Sequence, residues 1–477
     1  MKKTLLATLL IILATVFVGC TGTTTETTTT QTIEDLVSSL ENPYNIGLFM
    51  TADPTSSMGL NFELSEETEA FVEYKEVGTD DYTLVIATNK TTPIGRKTAY
   101  LYEADMTSLE VGKTYTYHVG TTSGTVLSDD YTFTMNSNVN GDFTFMYIAD
   151  PQENAELGYM AYAYAVLYTL EYSSQAYDFV MFPGDMINDS DIKTEWTWFY
   201  RYSSFFITST PIVATIGNHE FGRVDLDRIT QLEYDGYINL PDNGPVYGPF
   251  DEIGFDQRGA HIDDGKTYSF NYGNAHFTVI DTETYCDGTT ECAYYDTDNV
   301  EILNNWIRDD LANSTATWNI VLLHRGPYGL SYDTFNVRNN LIPIFDEYNV
   351  DLVLSGHDHQ YSRAVYSNFE MVPFSTSDAY DIGVLNISGS SNDFNHYSSS
   401  IGVTYLTGNT VATKFYGGDK SSGLEVQYKM LNEYPVIPFI TVTEDEIHII
   451  SYVVIKDSAF ALVPTSVQVL EEVVISK

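Results

Sequence analysis

From Asp142 onward the apolar runs of this chain stop, one after another, on residues that bind metal. Ile148 is followed by Asp150, Phe182 by Asp185, Ile216 by Asn218 and His219, Leu323 by His324, and Leu354 by His357 and His359. The runs themselves, Phe143 to Ile148, Phe179 to Phe182, Pro211 to Ile216, His276 to Ile280, Asn319 to Leu323 and Val350 to Leu354, are short and continuous, as expected of strands buried on both faces. Segments at helical spacing lie between them: Ala155 to Tyr172, Lys193 to Phe206, Asn299 to Leu311 and Asn336 to Glu347. Alternation of this kind predicts an α/β domain over residues 140–456. Ligands at carboxyl ends of strands share one edge of a sheet. Two carboxylates, one amide and three imidazoles are thereby expected in one crevice, with His219 to spare. Mixed oxygen and nitrogen donors suit first-row divalent metals, and the set suffices for two ions. Each piece alone is weak: Gly184-Asp185 is a common turn, and a single His324 in an apolar strand is usually a core histidine. Their ordered series is what constrains the chain.

Upstream, residues 42–136 carry short alternating segments such as Gly59 to Leu64 and Phe71 to Tyr74, broken by polar turns at the spacing of an all-β sandwich. No catalytic cluster occurs there, and His118, with no second ligand at metal spacing, reads as a surface or inter-strand residue. Ser399 to Gly423 reads as loops, Ile437 to Val454 as a closing pair of strands, and 457–477 as an unassigned tail. The chain has 66 Asp and Glu against 22 Lys and Arg, a net charge of -44. Nucleic acid is therefore excluded as a partner, since phosphate backbones require a clustered cationic surface. The acidity reads as a solubility or salt adaptation of the surface that also concentrates divalent cations.

The first residues predict export. Lys2 and Lys3 precede an uncharged, mostly apolar run, Thr4 to Gly19, too short for the roughly 20 residues of a membrane-spanning helix. Phe17-Val18-Gly19-Cys20 resembles a bacterial lipobox, with Phe17 where Leu is usual; this implies cleavage after residue 19, lipid on Cys20, and 20–41 as a Thr-rich tether. The expected location is extracytoplasmic, lipid-anchored to the bacterial cell membrane, which the chain touches only through that anchor. Cys286 and Cys292 read as a local disulfide in an oxidising compartment, two free thiols being the alternative.

Asp150-Pro151-Gln152, Gly184-Asp185, Gly217-Asn218-His219-Glu220, Val321 to His324 and Gly356-His357-Asp358-His359 resemble, in order and spacing, the motif blocks of calcineurin-like metallophosphoesterases. His359-Gln360-Tyr361-Ser362-Arg363 and Tyr268 to Phe277 point to the purple acid phosphatase-like branch, and Leu109 to Gly120 resembles late strands of a fibronectin type III domain. The resemblance implies two packed β-sheets flanked by helices, behind an N-terminal fibronectin type III-like sandwich. It implies Asp185 bridging two metals (Fe, Mn or Zn), Asp150 and His359 completing the first site, and Asn218, His324 and His357 the second. His219 would be the unliganded imidazole that stabilises the pentacovalent phosphorus or protonates the leaving group. Two cations about 3.5 to 4 Å apart acidify water and clamp attacking and leaving oxygens.

Two positions depart from the pattern. Asn188 stands where purple acid phosphatases have a metal-binding Tyr, so no purple colour is expected. Gln152 replaces a His or Gly of relatives, and reads either as a first-site ligand, weaker than imidazole, or as a supporting residue behind the ligands. Arg325 and Arg363, with Arg223 behind them, are candidates to grip phosphate, or else members of structural ion pairs. His276 reads as core packing; His261 lies outside the metal blocks. The expected function is a surface-anchored dinuclear-metal phosphoesterase acting on small phosphomonoesters. A phosphodiesterase or nucleotidase on the same core, and a non-catalytic binding lipoprotein, are the alternatives.

Overall fold

The computed structural model describes residues 43–122, 125–136, 141–220, 232–247, 266–285, 297–372, 380–381, 395–416, 424–426, 428–430, 433–458 and 461–477. The leader, Cys20 and the Thr-rich tract, Arg223, His261, Cys286 and Cys292 lie outside them. None of the helices in the described residues is long and apolar enough to cross a membrane.

Every strand expected from the apolar runs forms, with ends shifted by a residue or two. Phe143–Tyr147, Phe179–Phe182 and Ile212–Ala214 run parallel in one large mixed sheet. Ala275–Ile280, Trp318–Arg325, Leu352–Gly356 and Val403–Thr407 run parallel in a second. Pleating divides each run between two cores. Phe145, Tyr147, Phe179, Met181 and Val213 turn inward against Phe277, Val279, Ile320, Leu322 and Leu354 of the facing sheet. Met146, Ile148, Val180 and Phe182 turn outward beneath Tyr159, Tyr162, Val166, Trp196 and Phe199. These last belong to the helices Glu156–Ser173 and Lys193–Ile207. On the other side, Val321, Leu323 and Val353 pack beneath Leu303, Ile307, Leu341 and Phe345, on helices Thr297–Asn313 and Phe335–Glu347. The result is a helix–sheet–sheet–helix stack in which both faces of every central strand are apolar, the reason the runs are continuous rather than alternating.

Three features differ from the sequence reading. Val403–Thr407, within a stretch read as loops, is a buried strand between Leu352–Gly356 and Tyr361–Ser367, its Ser-, Thr- and Gly-rich flanks hiding a short apolar core. Residues 466–476, expected in an unassigned tail, form a long strand antiparallel to Glu446–Ile455. A register shift between Ser451 and Tyr452 places Leu470 and the next residue, Glu471, both in buried positions, which breaks the period-two signal of a strand. The N-terminal sandwich, moreover, is not closed on itself. One of its sheets, Thr83–Ile86, Ala70–Glu76, Thr114–Thr121 and Tyr131–Thr134, is its own. The other, Tyr44–Phe49, Met58–Leu64 and Lys97–Met106, continues the large mixed sheet of the α/β domain through the parallel pairing of Phe49 with Ile212.

Candidate metal centre

The parallel strands of both sheets point their carboxyl ends at one crevice. Asp150 follows the first strand, Asp185 the second and Asn218 the third; His324 ends the strand Trp318–Arg325, and His357 and His359 follow Leu352–Gly356. The donors thus come from two facing sheets rather than from one edge. Asp150, Asp185, His357 and His359 all hold positive φ, between 46° and 69°. Non-glycine residues adopt that region at a cost, and such strain concentrates at functional sites. Glycines leave the space: a Cβ on Gly356 would lie 2.5 Å from Asp150 Oδ2, and one on Gly184 2.6 Å from the Gly217 nitrogen.

Two groups of donor atoms result. Asp185, His324 and His357 form one, Asp150, Asp185 and His359 the other, and within each the atoms lie within 4.8 Å of one another. Asp185 belongs to both. Asn218 Oδ1 stands 3.0 Å from His324 Nε2, which places the amide with the His324 and His357 group. The surroundings set the tautomers: His324 Nδ1 donates to Pro183 O at 2.7 Å, and His359 Nδ1 to Lys414 O, so each ring turns Nε2 toward the carboxylates. Glu220 accepts from the backbone nitrogens of Asp185 (2.8 Å), Met186 (2.6 Å) and Gly217 (2.8 Å), fixing the two turns that carry Asp185 and Asn218.

Electrostatics mark the same centre. Burial pushes the Asp150 carboxyl well above the usual carboxylate range. Burial also opposes charge on Asp185, yet His324, His219 and His357 hold that carboxyl well below its ordinary value. Burial lowers His324, but Asp185 and Asp150 outweigh it and raise the imidazole to about 9, whereas burial brings His359 down to about 4. Asp150 Oδ2 is buried with no hydrogen-bond partner among the described residues. An orphaned buried carboxylate oxygen beside imidazoles whose other nitrogens are already committed fits divalent cations, and these residues are chemically suited to hold them.

Residues 143–361 match the model of the calcineurin-like phosphoesterases, and residues 43–135 that of the purple acid phosphatase N-terminal domain. The chain carries a calcineurin-like phosphoesterase domain. An acid phosphatase of Aspergillus ficuum is 31% identical to it over 131 residues, 20% of this chain and 21% of that protein. Purple acid phosphatase 15 of Arabidopsis thaliana is 24% identical over 221 residues, 44% and 36%. An uncharacterized protein of Mycobacterium tuberculosis is 26% identical over 164 residues, and the chain covers 28% of that relative's length. The fold is that of a purple acid phosphatase from yellow lupin, Lupinus luteus, with a TM-score of 0.66 at 16% identity over 91% of this chain and 74% of that one.

Within the phosphoesterase domain the ligand candidates read from sequence converge, and of the two arginines only Arg325 joins them. Arg363 is fully buried between the sheets, with Nε and Nη2 on Glu471 (3.2 and 3.1 Å) and Nη2 on Asn395 (3.1 Å). It is a structural ion pair, a correction to its reading as a phosphate grip. Arg325 is at the crevice but committed: Nε and Nη2 engage Glu283 at 2.5 and 3.1 Å, and Nη1 donates to His357 Nε2 at 2.8 Å. Gln152 turns its amide nitrogen to the centre, 2.8 Å from Asp185 Oδ2 and 3.0 Å from His359 Nε2. His219 is at the rim, its Nδ1 2.6 Å from Asn188 O and its backbone nitrogen 2.9 Å from Asp185 Oδ1. His118 is inter-strand, between Glu73 and Asp130, and His276 is buried, joining Asn271 of the neighbouring strand to Asp310 of the helix Thr297–Asn313.

Sequence reasoning missed Lys414, Glu283, Tyr332 and Tyr416. Tyr416 stacks on His359 with ring centroids 4.2 Å apart, and Tyr332 leans on His357 at 4.5 Å. Both tyrosines and Lys414 sit in loops remote in sequence from their partners, where no local pattern signals them. Glu220 was visible in Gly-Asn-His-Glu, but only as part of a motif.

Proposed function

We propose that the chain is a dinuclear-metal phosphoesterase that hydrolyses small phosphomonoesters outside the cell membrane, to which it is tethered by lipid on Cys20. The membership of Asp185 in both donor groups carries this reading, because a shared carboxylate holds two cations close enough to act together. Asp150, Asp185 and His359 would hold one ion; Asp185, Asn218, His324 and His357 the other. Bound there, two divalent ions supply Lewis-acid polarisation of the phosphoryl group and acidify water.

The chain's own residues do the rest. Nδ1 of His219 donates to the Asn188 carbonyl, so Nε2 is the nitrogen that releases a proton to the departing alkoxide and recovers one afterwards. The Asp185 contact to the backbone nitrogen of His219 holds that ring beside the reacting centre. Arg325, braced by Glu283, fixes the His357 ring, and Tyr332 and Tyr416 wall the two histidines from solvent.

The test is Asp185→Asn, assayed on an aryl phosphate, its bis-aryl diester and a nucleotide, with elemental analysis of the purified protein. Turnover is expected below about 1% of the parent, with metal lost and the far-UV circular dichroism unchanged. An active variant would overturn the reading, and a preference for the diester or nucleotide would move the substrate class.

A further inference from the structure

The Asp150, Asp185 and His359 group, the first site of the sequence reading, is not equivalent to the other, and the difference lies in three side chains that are not its ligands. Gln152 places its amide nitrogen 2.8 Å from Asp185 Oδ2 and 3.0 Å from His359 Nε2. The other group carries one such contact, Arg325 Nη1 on His357 Nε2 at 2.8 Å, from a guanidinium paired with Glu283, whereas here one N–H₂ engages two of three residues. The amide oxygen faces the other way, 3.2 Å from Lys414 Nζ, and the same ammonium reaches Asn188 Oδ1. Since an ammonium only donates, the Gln152 atom that meets it is the oxygen, and the orientation of the amide is determined rather than arbitrary. Turning the amide to offer its oxygen to a cation would set its N–H₂ against Lys414, donor against donor.

Lys414 is itself held. Its carbonyl oxygen accepts from His359 Nδ1. The preceding residue, Thr413, donates its backbone nitrogen (2.7 Å) and its hydroxyl to Glu153, a buried carboxylate. The ammonium is thus a fixed positive charge at the side of the first group, where it also opposes entry of a second cation by Coulomb repulsion.

We infer that Lys414, acting through Gln152, is a positioning residue that makes the two metal sites unequal: the Asn218, His324 and His357 side binds its ion tightly, and the Asp150 and His359 side binds weakly until the Gln152 amide is displaced. This rests on the metal-centre reading above, and it places Asn188 as the acceptor that steers the ammonium, not as a vestige of a lost ligand.

The experiment is equilibrium binding of Mn²⁺ to the full chain, purified in detergent and stripped with chelator, by dialysis with elemental analysis. The parent is expected to take one ion tightly and a second at least about ten-fold more weakly. Lys414→Met is expected to tighten only the second by about ten-fold or more, and Lys414→Arg, which still only donates, to leave it weak. Gln152→His, which keeps Lys414 and supplies an imidazole, is expected to tighten the second site as well, and decides the matter if Lys414→Met does not fold. Two ions of equal affinity in the parent, or a second site unmoved in folded Lys414→Met and Gln152→His, would overturn the inference while leaving the metal centre standing. No bound ion in the parent would instead overturn the metal-centre reading, and this inference with it.

Discussion

Asp185 and its neighbours show what a single position must supply here: a left-handed backbone, a buried carboxylate and room made by an adjacent glycine. The strain is offset by backbone hydrogen bonds, such as the His357 nitrogen to Asp150 Oδ1 at 2.9 Å, so the donors stand ready before any cation arrives. A residue beneath the same crevice gives a test of burial alone. Lys456 is 2% exposed, its Nζ 3.5 Å from Ala412 O, and burial lowers its pKa to about 8, against a raising contribution from Glu153. The unfolded chain holds that proton to about pH 10.4. Between these values the unfolded state binds more protons, so stability rises with pH across the window; below about pH 8 both states are protonated and the penalty is constant. Urea unfolding of the parent against Lys456→Met is expected to show the parent gaining up to about 3 kcal/mol on the variant between pH 8 and 10. A flat difference would mean that the lysine is solvated.

At the scale of the element, the last strand is the one whose role the linear pattern hides. Ser466–Ser476 lies in the large sheet between Glu446–Ile455 and His396–Ser398, and from it Glu471 reaches across to Tyr361 (2.6 Å) and to Arg363, which is raised above its ordinary range by Glu471 despite burial. The sheets are pinned together through this pair. Glu471→Ala leaves a guanidinium buried without its carboxylate and is expected to cost about 3 to 5 kcal/mol, whereas Arg363→Met with Glu471→Leu is expected to be near neutral. Urea midpoints measure both. If Arg363 bound substrate instead, the double variant would raise KM on an aryl phosphate, and no such change is expected.

Over the whole molecule, the N-terminal sandwich and the phosphoesterase domain share a sheet and a buried polar knot. Glu63, fully buried on the strand Met58–Leu64, meets Lys193 at the start of the helix Lys193–Ile207, with Asn45 at 2.7 Å and Tyr237 at 3.2 Å. A charge pair so placed makes the two domains lose partners together if either opens, so the sandwich braces the centre rather than hanging from it. If the proposed lipid on Cys20 anchors it, the full chain expressed in a bacterium is expected to fractionate with membranes, and Cys20→Ser in the soluble extracytoplasmic fraction with unchanged specific activity. Equal partition of both would remove the anchor from the reading.

The amino-acid sequence by itself determined the strands, the helices between them and the donors Asp150, Asp185, Asn218, His324, His357 and His359. Each is specified locally: a continuous apolar run makes a doubly buried strand, and the residue at its carboxyl end is placed by that strand alone. Tertiary structure decided what depends on distant partners. Arg363 became an ion pair because Glu471 lies 108 residues away on a strand masked by its bulge. The Gln152 amide took its orientation from Lys414, 262 residues on, and no spacing rule links them. Hydrogen-bond donors and charges act over a few ångströms in space, whatever their separation along the chain, so the ligands could be read in order while their supports had to be seen folded.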